Sequence, residues 1–255
     1  MNATLKLALA SMAALATAAC KDTLDVTNVN NPDVERVFAL PSTIEQTIGT
    51  GYQSCRNENQ NSDRYQQFET MSLESYSQLN NFSMGPRGGI PRAPILSNRT
   101  APSNFTPFSG LSRGARTAVN AIAALDKLRE AAGSQPALGT FAQDLRTRAW
   151  GFFVAACNMG YNALIYDSSA VVSVGMPSDE IPPLSGAKQV MVQALAYLDS
   201  AEAIANLPAA AGTGGFPTPT AWLSGTALNR DQFVQWVRSW RARFRALDQD
   251  WRGQV

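Results

Sequence analysis

Apolar residues recur every three or four positions along four long stretches of the chain, and this spacing predicts four amphipathic helices. The stretches cover residues 111–132, 138–165, 187–206 and 230–247. The second stretch has the longest apolar stripe, from Leu138 to Met159, so we expect it to lie at the centre of the fold. Gly133 is placed to end the first helix. Asn229 and Gln232 have the spacing of a capping box at the start of the last helix.

Two further helices are predicted closer to the N-terminus. One runs from Ser42 to about Cys55, and Ser42 and Glu45 have the capping-box spacing at its start. The other covers residues 63–80. Segments rich in proline and glycine follow these helices and separate the later ones, which predicts long loops. These loops span residues 81–110, 167–185 and 207–228.

The four long helices form two antiparallel pairs, 111–132 with 138–165 and 187–206 with 230–247. Helix pairs that stack in this way are typical of solenoids. We therefore predict a mainly α fold with tetratricopeptide-like helix pairs (an α-solenoid) and long Gly/Pro-rich loops. The sequence signature of that repeat is absent, so this prediction rests on the pairing alone. No segment alternates in the manner of a β-strand, and no sheet is predicted.

The first 19 residues have the pattern of an export signal. Lys6 is followed by an apolar run at 7–16, and the small residues 17–19 precede Cys20. The run is too short to span a bilayer, and a basic start, a short apolar stretch and a small-residue cleavage site are typical of a signal peptide. Small residues followed by a cysteine at the cleavage site resemble a bacterial lipobox. In that case Cys20 becomes the lipid-modified N-terminus. Plain secretion with an unmodified Cys20 is the alternative.

Charge and composition exclude several classes of function. Without residues 1–19, which contain one lysine and no acidic residue, 20 basic and 20 acidic residues remain. That balance argues against a nucleic-acid-binding protein, which usually shows a basic excess. Histidine is absent from the chain, which excludes a Ser-His-Asp or Cys-His catalytic unit and any His-containing zinc site. We therefore predict no metal, no cofactor and no enzymatic activity.

A glycosidase would need only two carboxylates, so acidic pairs are the remaining catalytic candidates. Asp179 and Glu180 lie together in a predicted loop, and Glu69 and Glu74 are close in sequence. Acidic residues in loops are usually solvated, so this class stays the weaker interpretation.

Once Cys20 is lipidated, Cys55 and Cys157 are the two remaining cysteines. In an oxidising compartment they could form a disulfide. Sequence alone does not show whether they are neighbours, so both the paired and the unpaired states stay open.

A set of motifs follows the lipobox-like signal in a defined order. After Cys20 comes an extended Asn/Asp-rich tether over residues 20–41. The later motifs are Arg113-Gly-Ala-Arg-Thr-Ala-Val-Asn-Ala-Ile with Leu125, Arg148-Ala-Trp-Gly-Phe-Phe running into Tyr161-Asn-Ala-Leu-Ile-Tyr-Asp167, Leu198-Asp199-Ser-Ala-Glu-Ala, and Trp240-Arg-Ala-Arg-Phe244. In this order they resemble the SusD/RagB family of outer-membrane nutrient-binding lipoproteins. The resemblance covers the N-terminal part of the family, so residues 42–255 are expected to form a single helical domain, and the family's C-terminal half has no counterpart before Val255.

The resemblance implies non-catalytic capture of an oligosaccharide, or sometimes a peptide, at the cell surface. The implied partner is a SusC-like, TonB-dependent transporter in the outer membrane, which the lipoprotein covers as a lid. The implied location is the outer membrane, lipid-anchored and exposed at the cell surface. In such systems the helical side packs on the barrel and ligand binds a face built from loops. The alternative function is a helical-repeat scaffold or assembly lipoprotein of the envelope, with no nutrient ligand.

Sugar-binding surfaces need flat aromatic rings together with amides or carboxylates. Tyr76, Asn80, Asn81 and Phe82 have this composition at the entry to the first long loop, and Trp222 in the last Gly/Pro-rich segment is a weaker candidate. The alternative is that these aromatic residues pack against the core, which is the commoner arrangement.

The positions of the aromatic residues distinguish a ligand-binding protein from a scaffold. Trp150, Phe152 and Phe153 lie on the most periodic helix, so core packing is expected. Trp236 and Trp240 are expected either in the core or on a surface facing a missing second half. A binding protein should expose aromatic residues in the 76–110 segment, whereas a scaffold should expose them along its helices.

Overall fold

The computed structural model describes residues 37–60, 69–70, 72–74, 76, 88–89 and 102–252. The predicted signal peptide, Cys20 and the predicted tether as far as residue 36 lie outside the described residues. Six α-helices occur in the described part: α1 (Pro41–Thr50), α2 (Tyr52–Gln60), α3 (Pro102–Ala132), α4 (Phe141–Ile165), α5 (Ala187–Ala205) and α6 (Arg230–Arg252). Two short strands, β1 (Ser168–Ala170) and β2 (Leu184–Gly186), lie between α4 and α5. The prediction of a mainly helical fold is confirmed.

Helix α4 lies at the centre of these helices, as its apolar stripe predicts. Every residue from Ala149 to Ala163 is buried, and α4 packs against α1, α2, α3, α5 and α6. A helix that is apolar on all sides has to be covered on all sides. The segment after α5 contributes to this cover through two 3-10 turns, Pro208–Ala211 and Thr220–Leu223, the first of which packs on α4.

Local capping signals in the sequence set three helix ends. Gly133 has a φ of 62°, a left-handed conformation that glycine adopts without steric cost, and it follows the last residue of α3. The Thr140 hydroxyl accepts a hydrogen bond from the Gln143 amide at the start of α4. At the start of α6, the Gln232 amide donates to Asn229 Oδ1 and the Asn229 amide donates to Gln232 Oε1, both at 2.9 Å. The predicted capping box of α6 is confirmed.

The predicted capping box of α1 is wrong. The N-cap residue is Leu40, which makes no side-chain capping bond, and Pro41 occupies the first turn. Proline suits that position because its fixed φ is already helical and its missing N–H would have no partner there. Ser42 therefore lies inside the helix, and Glu45 bonds elsewhere. The predicted single helix from Ser42 to Cys55 is also interrupted at Gly51 and continues as α2 to Gln60.

Two further boundaries differ from the predictions. Helix α3 begins at Pro102, so the end of the predicted 81–110 loop is helical in spite of Pro107. Pro107 lies near the helix start, where few intrahelical hydrogen bonds are lost. The predicted helix over 63–80 is not continuous either, because Leu73 has a φ of 65°. A non-glycine residue in this conformation does not continue a right-handed helix. The rest of that span lies largely outside the described residues.

A small antiparallel sheet contradicts the prediction that the chain has none. Ser168, Ser169 and Ala170 of β1 pair with Gly186, Ser185 and Leu184 of β2. A ladder of three pairs is too short to leave an alternating pattern in the sequence. A tertiary contact holds the loop between the strands: Arg116 on α3 donates from Nη2 to the carbonyl oxygens of Pro177 and Glu180, at 2.5 and 2.7 Å.

The capping box of α6 gives a stability prediction with a matched control. We expect Asn229→Ala to lower the free energy of unfolding by about 1 kcal/mol, because it leaves the Gln232 amide without its acceptor. Ser42→Ala should change it by less than about 0.5 kcal/mol, since Ser42 caps nothing. Urea unfolding followed by circular dichroism measures both. Equal losses in the two variants would contradict the assignment of these caps.

Candidate functional site

The structure describes one residue of the predicted ligand-binding segment, and its ring is in solvent. Tyr76 is 83 % exposed, and the nearby Leu73 is 54 % exposed. The alternative in which Tyr76 packs against the core is therefore wrong. Asn80, Asn81 and Phe82 lie outside the described residues. Tyr76 thus presents an exposed aromatic ring close in sequence to two amides, a composition that suits the apolar face and the hydroxyls of a sugar ring.

Trp222 is not placed to bind a ligand. Its side chain is 4 % exposed, and its ring centroid lies 5.3 Å from that of Trp150. It lies directly over Gly49 of α1: a Cβ atom at position 49 would stand 1.9 Å from Trp222 Nε1. The prediction that Trp222 binds ligand is therefore wrong, and the core-packing alternative holds. The sequence around Trp222 carries no sign of this contact, because Gly49 is distant along the chain.

A buried ion pair beside Trp222 was not predicted. Arg146 on α4 is 7 % exposed, and its Nη2 donates to Glu45 Oε1 on α1. Its Nη1 donates to the carbonyl oxygens of Gly214 and Gly215, at 3.1 and 2.6 Å. Glu45 Oε2 accepts a hydrogen bond from Gln143 Nε2 at 2.9 Å.

The charges of Arg146 and Glu45 interact with each other and with neighbouring groups of the protein. Burial lowers the pKa of the Arg146 guanidinium, and the charge and hydrogen bond of Glu45 oppose that shift. The Arg146 guanidinium also lies over the Trp222 ring, 5.2 Å from its centroid, in a cation–π contact. Both Nη atoms of Arg146 and both carboxylate oxygens of Glu45 have protein partners, whereas Arg146 Nε is buried without one. The pair therefore joins α1, α4 and the segment after α5.

A second buried polar group lies where α3 and α4 meet. Asn158 Nδ2 donates to the Val154 carbonyl oxygen at 2.9 Å, and Asn162 Nδ2 donates to Ser112 Oγ of α3 at 3.1 Å. These bonds satisfy donors that would otherwise be costly to bury. Among the described residues, no cluster of three or more cysteine, aspartate or glutamate side chains is placed to hold a metal ion.

The aromatic residues of the long helices are in the core. Trp150 and Phe153 are fully buried and Phe152 is 7 % exposed, as expected. Trp240 is 7 % exposed, and its ring contacts those of Tyr161 and Phe244. Trp236 packs against Tyr52 and Phe153. Trp240 therefore lies in this chain's own core, and Trp236, which is partly exposed, packs against the same core.

Two further aromatic side chains are exposed on the described helices, and two acidic side chains are exposed in a loop. Phe105 on α3 is 40 % exposed and Phe141 on α4 is 47 % exposed, and they stand at the starts of different helices. Asp179 and Glu180 are exposed in the loop between β1 and β2, as expected of solvated acidic residues. In the part of the chain that is described, no helix is both long enough and apolar enough to cross a membrane.

No model of a known protein family matches the chain, and no curated protein or solved structure matches it either.

The buried ion pair gives a prediction about stability. We expect Arg146→Met to lower the free energy of unfolding by about 2–3 kcal/mol, because it leaves Glu45 Oε1 and the carbonyl oxygens of Gly214 and Gly215 without their charged donor. Arg148→Met is the matched control on the same helix. Arg148 pairs with Asp126 at 2.8 Å, but the two side chains are each 26 % exposed, so we expect a loss of about 1 kcal/mol or less.

Chemical denaturation of both variants measures the difference. A loss for Arg146→Met no larger than that for Arg148→Met would show that the buried pair does not hold the loop in place.

Proposed function

We propose that this chain is a SusD-like, lipid-anchored surface protein that captures an oligosaccharide, or a peptide, and passes it to a SusC-like TonB-dependent transporter of the outer membrane. The proposal starts from the export signal that ends at Cys20 and from the order of motifs in residues 113–244. Under this proposal the protein is anchored in the outer membrane, and its partner is the transporter barrel. The protein itself performs no chemistry on the ligand.

The observation that carries the proposal is the distribution of aromatic side chains. Tyr76 has its ring in solvent, while Trp150, Phe153, Trp240 and Phe244 of the long helices are buried, and the exposed Phe105 and Phe141 stand near helix starts. A scaffold that binds other proteins along its helices would keep large aromatic residues on those faces. Binding by an exposed ring next to a Gly/Pro-rich segment fits the capture of a sugar better.

The arrangement of the long helices is consistent with the helical-repeat part of the proposal. Helices α3 and α4 pack against each other, as do α4 with α5 and α5 with α6. A tetratricopeptide-like solenoid would stack the pairs α3–α4 and α5–α6 in this order. In the proposed complex this helical side lies against the transporter, and the segment that contains Tyr76 lies on the ligand side.

The envelope scaffold stays the second candidate function because of one surface feature. Ile181 is 92 % exposed and Leu184 is 63 % exposed at the end of the β1–β2 loop. Apolar side chains in this position are suited to contact another protein. They would serve a scaffold, and they would equally serve contact with a transporter.

A binding experiment on Tyr76 tests the proposal. The full-length lipoprotein is screened against soluble polysaccharides and peptides by affinity electrophoresis, and the tightest ligand is measured by calorimetry. We expect Tyr76→Ala to weaken that ligand about fivefold to tenfold, since ring stacking is worth about 1 kcal/mol.

Phe141→Ala is the control, because Phe141 is also an exposed aromatic residue but lies on α4. We expect it to leave the affinity unchanged. No binding to any member of the panel, or equal losses in the two variants, would contradict ligand capture by this segment.

A further inference from the structure

Two cysteine side chains from distant parts of the sequence meet in the core. Cys55 on α2 is 1 % exposed and Cys157 on α4 is fully buried. Helix α2 packs on α4, and the neighbouring Cys55 raises the pKa of the Cys157 thiol, so the two side chains lie close together. The sequence left their proximity open, and in the structure both side chains belong to one buried cluster and lie on helices that pack together.

The surroundings of the two thiols are apolar and aromatic. Tyr52 and Tyr161 both lie close enough to Cys55 and Cys157 to interact with them electrostatically. Burial raises the pKa of the Cys157 thiol well above its usual value, and the neighbouring Cys55 adds to the effect. Because the thiolate is the reactive form, these thiols exchange slowly once the core is closed. Oxidation is therefore fastest before α2 packs on α4.

We propose that Cys55 and Cys157 are joined by a disulfide bond in the exported protein, which links α2 covalently to α4. This inference rests on the export that is part of the proposed function, because disulfides form in oxidising compartments outside the cytosol. The bond closes a loop of about 100 residues, a length at which a cross-link restricts the unfolded chain strongly. It fixes the last described helix before the segment that contains Tyr76.

The bond forms by thiol–disulfide exchange with an oxidised dithiol protein of that compartment. The thiolate of one cysteine attacks the disulfide of the oxidant and forms a mixed disulfide, with release of one thiolate of the oxidant. The second cysteine then attacks the mixed disulfide and releases the other. The two thiol protons and two electrons pass to the oxidant, which leaves as a dithiol.

Peptide mapping tests the proposal directly. The full-length protein is isolated from bacterial membranes, its free thiols are alkylated under denaturing and acid-quenched conditions, and it is digested with trypsin without reductant. The two cysteines fall in separate peptides, 37–56 and 149–188. We expect one linked pair whose mass is the sum of the two peptides less two hydrogens. Recovery of both peptides in alkylated form, or of either linked to Cys20, would overturn the proposal.

A stability measurement gives independent evidence. Reduction of the membrane-extracted wild-type protein in denaturant, followed by refolding with reductant present, should lower its Tm by on the order of 10 °C. The same treatment should not change the Tm of the double variant C55A/C157A. The single variants C55A and C157A should each resemble the double variant, because either change removes the whole bond. A wild-type Tm that does not respond to reductant would overturn the proposal.

Failure of the proposed function can be distinguished from failure of the disulfide proposal. If the protein keeps residues 1–19 and stays in the cytosol, export is refuted. The purified full chain is then refolded with oxidised glutathione and mapped in the same way. A linked pair upholds the pairing of these two cysteines, and alkylated separate peptides overturn it.

Discussion

The burial of α4 on all sides is the constraint on which the rest of the structure depends. Every residue from Ala149 to Ala163 is buried, so this part of α4 needs neighbours on all sides, and α1, α2, α3, α5 and α6 pack against the helix. The polar groups that α4 carries then need partners inside the protein. Arg146 finds Glu45 and the loop carbonyls of Gly214 and Gly215. The irregular segment after α5 is thereby tied to the centre of the fold by the same helix that it covers.

The sequence predicted the parts of the fold whose signals are local. The period of apolar residues identified α4, α5 and α6, and the capping box of Asn229 and Gln232 needs only three residues of spacing. The predictions that failed depend on partners far along the chain. Glu45 has the spacing of a capping residue, but it bonds Arg146, 101 residues away. Trp222 lies in a Gly/Pro-rich segment that suggests a loop, yet its ring is buried against α1 and α4.

The candidate site was predictable to the extent that composition alone defines it. An aromatic residue followed by amides at the edge of a breaker-rich segment suggested ligand binding, and Tyr76 is exposed there. The periodicity of the aromatic residues Trp150, Phe152 and Phe153 predicted their burial. The exposure of Tyr76 could not be predicted, because nothing local in the sequence distinguishes a solvent-facing ring from one that packs on a helix end. An exposed aromatic ring before a Gly/Pro-rich stretch of the sequence therefore supports the proposed binding function.

The most direct test of the proposed function is to identify what the intact lipoprotein binds in the membrane. It would be purified from detergent-solubilised outer membranes through a C-terminal tag, and the proteins retained with it would be identified by mass spectrometry. The account predicts a large TonB-dependent barrel in stoichiometric amount, together with an N-terminal peptide that begins at an acylated Cys20. Recovery of the acylated protein without any such barrel would contradict nutrient uptake and favour a scaffold of the envelope.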